Sequence, residues 1–395
     1  MEFEYTNIDL ETATRDEIQA EIDRMQKLSY EWKNEEQAIK LTINSIYGAM
    51  GNKWLVCFKT EVAETVTLQG QDLIKFAEKV VNAYFAKFWH LDKDLHEKLG
   101  LTSVKEVTKP VNIYIDTDSC YVCFEDIIKS CDWRNSHVDE KAFILALNKF
   151  RLKAYLQKQF DIYAKKWNTV NQQDFEMETI SRSGIWLAKK KYILDKVWED
   201  GIDIEPLTEV VHKGIELAQS STPVFARKKL SELVTYVLTK KKTLDKKAFT
   251  QLLREIKDEF RLADPDTVSS GRSVNNYEKW ILNDTTQFEV AKAPPIHVRA
   301  AGYYNYLLNQ NGEMKQKYEM IRSGGKVKFY YVKVKSSHEN DVFAYHPGNY
   351  PYEFAPPINY DLMFEKTILD PMNRIMKAMG LGNIPPGLQI IHALI

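Results

Sequence analysis

The sequence predicts an α+β protein whose C-terminal part is mostly helical. A helical periodicity runs from about Thr14 to Met50, two β-rich runs flank a short polar turn near residue 117, and the chain beyond about residue 210 is typical of helices. Helices and strands that follow one another in this mixed order favour α+β.

The composition restricts the class of protein. The 395 residues, 44% of them apolar and 28% charged, fit roughly two or three folded domains and exclude a disordered chain. The four cysteines exclude a disulfide scaffold and fit a reducing compartment. Because no apolar run reaches about 18 residues and the acidic N-terminus lacks an apolar core, we expect no membrane span, no signal peptide and a cytoplasmic location.

The net charge of −1 predicts no nucleic-acid partner by itself, yet the charge is unevenly placed. Residues 1–36 hold eleven acids against four bases. Residues 182–196 hold five bases and one acid, and residues 227–247 hold eight bases and two acids. Separated patches of opposite sign suit a protein that steers a polyanion onto one surface, although each lysine run is equally explained as a solvated helix face.

The first predicted helix has a start signal and a stop signal. Thr14 followed by Glu17 has the pattern of a capping box, and Gly48 and Gly51 end the helix. Apolar residues recur every three or four positions along it, at Ile18, Ile22, Met25, Leu28 and Trp32.

The remaining elements follow from similar patterns. A second long helix is predicted over 61–88, a hairpin over 111–124, a helix over 140–166 and strands around a basic turn over 176–200. Beyond them we expect mostly helices, an irregular Gly/Pro/Tyr-rich section over 323–358 and a last helix over 360–380.

The hairpin has two acids at its tip. Asp116 and Asp118 lie two residues apart between the runs Val111–Ile115 and Cys120–Phe124. Side chains at i and i+2 point to one side of a strand, so the carboxylates repel each other unless a cation such as Mg²⁺ lies between them. The alternative is an ordinary polar turn, since Asp and Ser are common turn residues.

Two further groups of residues combine charge with polar or aromatic side chains. Lys40, Asn44 and Tyr47 share one helical face and suit a triphosphate, a sugar and a base, unless the helix belongs to a core with a buried Tyr47. The run Lys189-Lys190-Lys191-Tyr192, which follows Gly184, suits backbone phosphates, with Tyr192 reaching a sugar or groove edge. The alternative for this run is a plain surface patch.

These segments resemble motifs of the family B DNA polymerases. Tyr114–Ser119 has the form Y-x-D-T-D-S of motif C, and Lys40–Gly48 has the form K-x-x-x-N-S-x-Y-G of motif B. Lys189–Tyr192 resembles the K-K-R-Y motif, with Lys191 in place of Arg, which keeps the charge but loses a bidentate donor. Segments such as Lys213–Glu216 and Ser220–Pro223 resemble the T-even bacteriophage type, and the resemblance extends from about residue 30 to about residue 380.

The resemblance implies a role for each residue. Asp118 matches the direct metal ligand and Asp116 the supporting acid. Glu178 matches an acid on a neighbouring strand, where a surface glutamate is the alternative. Lys40 would hold the incoming triphosphate, Asn44 would support that site, and Tyr47 would pack near the nascent base pair. The basic turn, with Gly184 before it, would hold the primer end.

The resemblance also implies a division into domains. Residues 1–52 would form part of the fingers, with one long helix. Residues 53–213 would form a partial palm, with an antiparallel sheet and helices, and residues 214–395 a mostly helical thumb that wraps primer–template DNA. The tail from Gln389 to Ile395 would bind a sliding clamp, or else pack on the thumb as a helix end.

Parts of the family pattern are missing from these residues. We find no motif A aspartate, no exonuclease acids and no basic pair from the other fingers helix. We therefore expect the C-terminal subunit of a split replicative polymerase, whose N-terminal partner chain supplies these parts and shares two Mg²⁺ ions in deoxynucleotide transfer. The alternatives are a catalytically inactive remnant that binds primer–template DNA and a fragment of a longer enzyme.

Overall fold

The computed structural model describes residues 8–9, 12–133, 139–204, 209–215, 219–240, 243–334, 340–384 and 388. They form two compact units, an N-terminal unit (Met1–Glu176) and a C-terminal unit (Met177–Ile395). Both combine helices with small antiparallel sheets, which confirms the α+β prediction. The division into fingers, palm and thumb stays a prediction. Within the described ranges, no helix has the length and apolar character needed to cross a bilayer.

Helices make up most of the N-terminal unit. In chain order they are α1 (Arg15–Met50), α2 (Thr60–Ala83), α3 (Lys93–Lys98), α4 (Glu125–Lys129), α5 (Glu140–Leu147) and α6 (Lys153–Lys166). A π-helical segment (Tyr84–Phe88) extends α2, and another (Asn148–Leu152) joins α5 to α6. The helices predicted over 61–88 and 140–166 are thus confirmed.

Two short antiparallel pairs complete this unit. β1 (Leu101–Val104) pairs with β4 (Cys131–Trp133), and β2 (Asn112–Asp116) pairs with β3 (Ser119–Val122) as the predicted hairpin. The core contains fully buried Phe85, Trp89, Leu95, Ile127 and Leu147.

Helix α1 begins as predicted but contributes little to this core. The Thr14 side chain accepts a hydrogen bond from the Glu17 N–H, and the Glu17 carboxylate accepts one from the Thr14 N–H, which completes the capping box. Along the 36 residues of α1, Glu21 is the one buried side chain. Of the recurring apolar side chains, Ile22, Met25 and Trp32 are exposed, while the other two, at positions 18 and 28, are half-buried, so none of the five belongs to the core of the unit.

The C-terminal unit starts with a four-stranded antiparallel sheet. β5 (Thr179–Ala188) and β6 (Lys191–Glu199) form a hairpin, and β7 (Ile202–Asp203) and β8 (Glu209–Lys213) pair with the other edge of β6. This confirms the strands predicted around the basic turn.

Helices dominate the rest of this unit. They are α7 (Val224–Thr239), α8 (Lys246–Leu262), α9 (Pro265–Val268), α10 (Tyr277–Trp280), α11 (Ile296–Asn309), α12 (Gly312–Lys317), α13 (Tyr360–Phe364) and α14 (Asp370–Ala378), with a π-helical segment (Glu365–Leu369) between the last two. The last helix predicted over 360–380 is confirmed. A small pair, β10 (Ile281–Asn283) and β11 (Glu289–Val290), lies before α11.

The section expected to be irregular contains strands. β12 (Lys326–Tyr331) pairs with β13 (Val342–Tyr345) on one side and with β9 (Ser270–Ser273) on the other, and α11 packs on this sheet. All four residues of β13 are fully buried, so the strand shows no alternation of apolar and polar residues that a sequence pattern could detect. Tyr330, Phe343 and Tyr345 make this sheet part of the main core.

Candidate active site

The tip of the β2–β3 hairpin is a tight and unusual turn. Asp116 pairs with Ser119, which leaves Thr117 and Asp118 between the strands. The Asp118 N–H donates to the Asp116 carbonyl oxygen at 2.7 Å, which is the hydrogen bond between residues i and i+2 that defines a γ-turn. The residue between them, Thr117, has φ 56°. A β-branched residue in the left-handed region costs about 1–3 kcal/mol, a strain that is typical of functional sites.

The two carboxylates at this tip differ in exposure. Asp118 is exposed, and its Oδ1 accepts a hydrogen bond from the Ser119 hydroxyl at 3.1 Å. Asp116 is half-buried, and its Oδ1 accepts one from the Thr117 hydroxyl at 3.2 Å. The Ser119 hydroxyl occupies one lone pair of the Asp118 carboxylate and leaves others that suit a hard cation such as Mg²⁺.

The hairpin fits part of a metal site. It offers two carboxylates, and the described part of the chain contains no group of three or more His, Cys, Asp or Glu side chains that could hold an ion. A complete site for Mg²⁺ therefore needs ligands besides Asp116 and Asp118, from water, phosphate oxygens or another carboxylate.

Helix α2 holds the hairpin in place. The Asn82 side-chain oxygen accepts hydrogen bonds from the N–H groups of Val111 at 2.9 Å and Asn112 at 3.0 Å. On the hairpin itself, the rings of Tyr114 and Tyr121 pack with their centroids 5.5 Å apart. The start of β2 is thus fixed by a side chain, and cross-strand aromatic packing rigidifies the ribbon that ends in the two acids.

The predicted nucleotide face lies on the exposed side of α1. Lys40, Asn44 and Tyr47 are all exposed, and Tyr47 keeps 41% of its surface, which overturns the alternative of a buried core tyrosine. The Lys40 ammonium lies 2.6 Å from the Glu36 carboxylate, and this hydrogen bond lowers the pKa of Glu36. The Tyr47 hydroxyl lies 2.7 Å from the Thr67 hydroxyl on α2. Helix α2 thereby contacts both the nucleotide face and the aspartate hairpin.

The basic turn belongs to the C-terminal unit. Lys189, Lys190 and Lys191 are exposed where β5 turns into β6, and Lys190 has φ 60°. Gly214, just after β8, supports this turn: with φ 65°, it approaches so closely that a Cβ atom there would lie 2.0 Å from the Lys190 carbonyl oxygen. Only glycine satisfies both conditions.

The tyrosine of this motif lies in a different environment from the one expected. Tyr192 is 2% exposed, its ring stacks on Trp186 at 6.4 Å, and the Lys213 ammonium lies 5.9 Å from the ring centroid. The ring therefore does not reach outward to a sugar or groove edge. Tyr192 begins a run of four buried residues on the central strand β6. The three lysines before it make the segment look like an exposed turn in the sequence.

Gly184 and Glu178 flank this turn on β5. A Cβ atom on Gly184 would lie 2.5 Å from the Trp186 indole, so the glycine makes room for the ring that covers Tyr192. Glu178 is exposed just before β5, and its carbonyl oxygen accepts a hydrogen bond from the Asp200 N–H at 2.9 Å. Glu178 belongs to the C-terminal unit, whereas Asp116 and Asp118 belong to the N-terminal unit.

Several supporting residues escape sequence reasoning. Thr67 and Asn82 act through hydrogen bonds to residues that are distant in the sequence, for which a sequence shows no signal. Gly214 directly follows Lys213 at a strand end, and a glycine in that position is the one signal that could have indicated a close backbone approach.

Comparison with known proteins agrees with the motifs. Residues 8–143, which include both α1 and the aspartate hairpin, match DNA polymerase family B. The DNA-directed DNA polymerase of Escherichia phage RB69 is 26% identical over 361 residues, which cover 87% of this chain and 36% of that protein. The DNA-directed DNA polymerase of Enterobacteria phage T4 is 22% identical over 361 residues, which cover 87% of this chain and 37% of that protein.

These matches confirm the resemblance that the motifs indicated. Residues 8–143 are thus similar to the family B DNA polymerases, and most of the chain is similar to the polymerases of two bacteriophages, RB69 and T4. The chain spans little more than a third of the length of the curated relatives it matches.

Proposed function

We propose that this chain is the C-terminal part of a DNA-directed DNA polymerase that adds deoxynucleotides to a primer 3′ end. The observation that supports this most directly is the aspartate hairpin. Its two acids lie on a strained turn, α2 connects them to an exposed Lys/Asn/Tyr face, and the family match covers both groups. A binding module has no need for two like charges held together at a strained tip.

The acids would hold the metal. Asp118, which is exposed, is the direct ligand for Mg²⁺, and Asp116, which is half-buried, supports it. Bound Mg²⁺ supplies positive charge that lowers the pKa of an attacking hydroxyl and neutralises a departing pyrophosphate. Glu178 is a third acid assigned to this chemistry, by family resemblance alone.

The exposed face of α1 would bind the deoxynucleoside triphosphate. Lys40 provides a point charge for phosphate oxygens and exchanges its contact with Glu36 for the triphosphate. Asn44 supports that site, and Tyr47 packs near the new base pair with its hydroxyl already oriented by Thr67.

Primer–template DNA would contact the C-terminal unit. The exposed lysines at 189–191 bind backbone phosphates, while Tyr192 keeps the turn rigid from inside the sheet. The basic run over 227–247 adds phosphate contacts. The proposed clamp contact over 389–395 lies outside the described residues.

The remaining polymerase parts would come from a partner chain. The relatives have nearly two thirds of their length outside the matched region, and two carboxylates on one hairpin do not make a two-ion site. An N-terminal polypeptide would supply motif A, the exonuclease and the rest of the fingers, and would share the two Mg²⁺ ions.

Purification of the native assembly followed by primer extension tests this proposal. We expect the chain together with its N-terminal polypeptide to extend a primer with Mg²⁺ and deoxynucleotides, and the chain alone to bind primer–template DNA without extending it. DNA binding by an assembly that never extends a primer would support the inactive remnant instead.

A further inference from the structure

The aspartate hairpin needs support from outside its own two strands. β2 and β3 pair with each other, and within the described residues neither of them pairs with a third strand. Ile113 on β2 keeps 50% of its surface exposed, so the hairpin is incompletely covered. Because a two-stranded hairpin is only marginally stable in water, the direction of its two carboxylates depends on contacts with the rest of the N-terminal unit.

One side chain of α2 fixes the place where β2 begins. The Asn82 Oδ1 atom accepts hydrogen bonds from the N–H groups of Val111 at 2.9 Å and Asn112 at 3.0 Å. Successive N–H groups of an extended strand point in opposite directions, so one oxygen accepts both only where the chain enters the strand. The Val111 carbonyl oxygen also accepts the Cys123 N–H at 2.8 Å, which closes the base of the hairpin at the same residue.

The base of the hairpin determines the direction of its tip. Asp116 pairs with Ser119 at the tip, but the pairing shifts between Asn112 and Tyr114. Because side chains alternate between the two faces of a strand, a slip of one residue at the base would turn Asp116 to the opposite face. Asn82 opposes such a slip, since its oxygen holds two consecutive N–H groups in one place.

We propose that Asn82 is a positioning residue for the metal site at the hairpin tip. It acts across about 13 Å, the length of four residues of strand, and so touches neither the metal nor its ligands. By holding the start of β2, it makes Asp116 and Asp118 present their carboxylates to one ion. The metal role of the two acids rests on the proposed function, whereas the hydrogen bonds of Asn82 do not.

Binding of Mn²⁺ to the full chain, without DNA or nucleotide, tests this role. Mn²⁺ takes the same oxygen ligands as Mg²⁺, and its electron paramagnetic resonance signal measures the free ion. The binding that Asp118→Asn removes is assigned to the hairpin. We expect Asn82→Leu, which keeps the approximate size of the side chain but has no acceptor, to weaken that binding about tenfold. Asn82→Asp keeps an oxygen at the same place and should retain the affinity of the parent chain.

Tyr84→Phe is the matched control for a general loss of stability. The Tyr84 hydroxyl donates to the Asp92 carboxylate at 3.0 Å, so this variant loses a hydrogen bond two residues from Asn82 that does not involve the hairpin. It should keep the Mn²⁺ affinity of the parent chain. Circular dichroism shows whether each variant folds, and Asn82→Ala, which removes the acceptor without adding apolar bulk, replaces Asn82→Leu if the latter does not.

The outcomes separate this inference from the proposed function. Unchanged affinity in the variant without an acceptor, a loss in Asn82→Asp as large as that in Asn82→Leu, or an equal loss in Tyr84→Phe would each overturn the role of Asn82 alone. A parent chain whose Mn²⁺ binding does not depend on Asp118 would overturn that role together with the metal assignment. Binding that depends on both Asp118 and Asn82, in an assembly that never extends a primer, would support the role of Asn82 and refute the proposed function.

Discussion

The hydroxyl of Tyr47 lies 2.7 Å from the hydroxyl of Thr67, which joins the nucleotide face of α1 to α2. Further along α2, the side-chain oxygen of Asn82 accepts hydrogen bonds from the backbone N–H groups of Val111 and Asn112, where the aspartate hairpin begins. A single helix therefore connects the two groups of residues to which the proposed reaction assigns the nucleotide and the metal.

Removing either hydroxyl should lower the free energy of unfolding, because the contact between α1 and α2 is lost. We expect Tyr47→Phe to destabilise the chain by about 0.5–1 kcal/mol, and Thr67→Val to cost more because the Thr67 hydroxyl also donates to the Ala63 carbonyl oxygen at 3.0 Å. The double variant should cost no more than Thr67→Val alone, because the two hydroxyls share one hydrogen bond. Denaturant unfolding of the full chain measures this. Tyr30→Phe, which alters an exposed tyrosine on the same helix, is the control, and additive losses in the double variant would contradict the contact.

Asp118 should be essential to the chemistry and dispensable for DNA binding. We expect Asp118→Asn to abolish primer extension by the assembled enzyme, because the amide keeps the size of the carboxylate but removes the charge that holds Mg²⁺. Binding of duplex DNA by the same variant should change little. Primer extension by the variant at the rate of the parent enzyme would contradict the assignment of the hairpin as a metal site.

The lysines of the basic turn should determine how DNA binding depends on salt. Replacing Lys189 or Lys191 with Gln should reduce the slope of log affinity against log salt concentration by about 0.9 for each lost phosphate contact. Lys377→Gln changes an exposed lysine on α14 and serves as the control. Equal slopes for all three variants and the parent chain would show that the turn makes no phosphate contact.

The close approach of Gly214 to the basic turn should make this glycine irreplaceable. Gly201→Ala is expected to cost about 1–2 kcal/mol, because Gly201 has φ 87° and no atom near its absent Cβ. Gly214→Ala should cost more and weaken DNA binding, since the new methyl group displaces the Lys190 carbonyl. Unfolding and DNA-binding measurements on both variants check this, and equal effects would mean that the turn can move freely.

Stability of the chain should fall in mild acid through His212. Burial lowers the pKa of this histidine from its ordinary value of 6.5, so the unfolded chain takes up a proton more readily than the folded one. The stabilising contribution is complete above pH 6.5 and is lost as the pH falls through the lower, folded value. His212→Gln should reduce this loss in unfolding measurements between about pH 7 and pH 5, and an equally steep loss in that variant would show that His212 does not cause it.

The elements that sequence reasoning recovered are those with local signals. The capping box at Thr14, the hairpin with Asp116 and Asp118, and the turn at Lys189 each have their cause within a few neighbouring residues. Motif spacing likewise indicated the resemblance to the family B DNA polymerases.

Features that depend on distant residues were not recoverable. β9 pairs with β12, which lies more than fifty residues later in the sequence, and no local signal indicates such a distant partner. β13 is buried on both faces, so it shows no alternation of apolar and polar residues. The burial of Tyr192 depends on Trp186 and Lys213 from two other strands. The apolar periodicity of α1 predicted the helix correctly, but periodicity alone does not tell whether the apolar side chains are buried, and most of them are exposed.

The exposed apolar side chains of α1 also bear on how much of this protein a cell can retain. A row of exposed isoleucines on one helix, Ile39, Ile43 and Ile46, is the kind of surface that chaperones retain and proteases attack. Copies in which nothing covers this helix would then be removed, so the level of intact protein in a cell would depend on what else binds the chain.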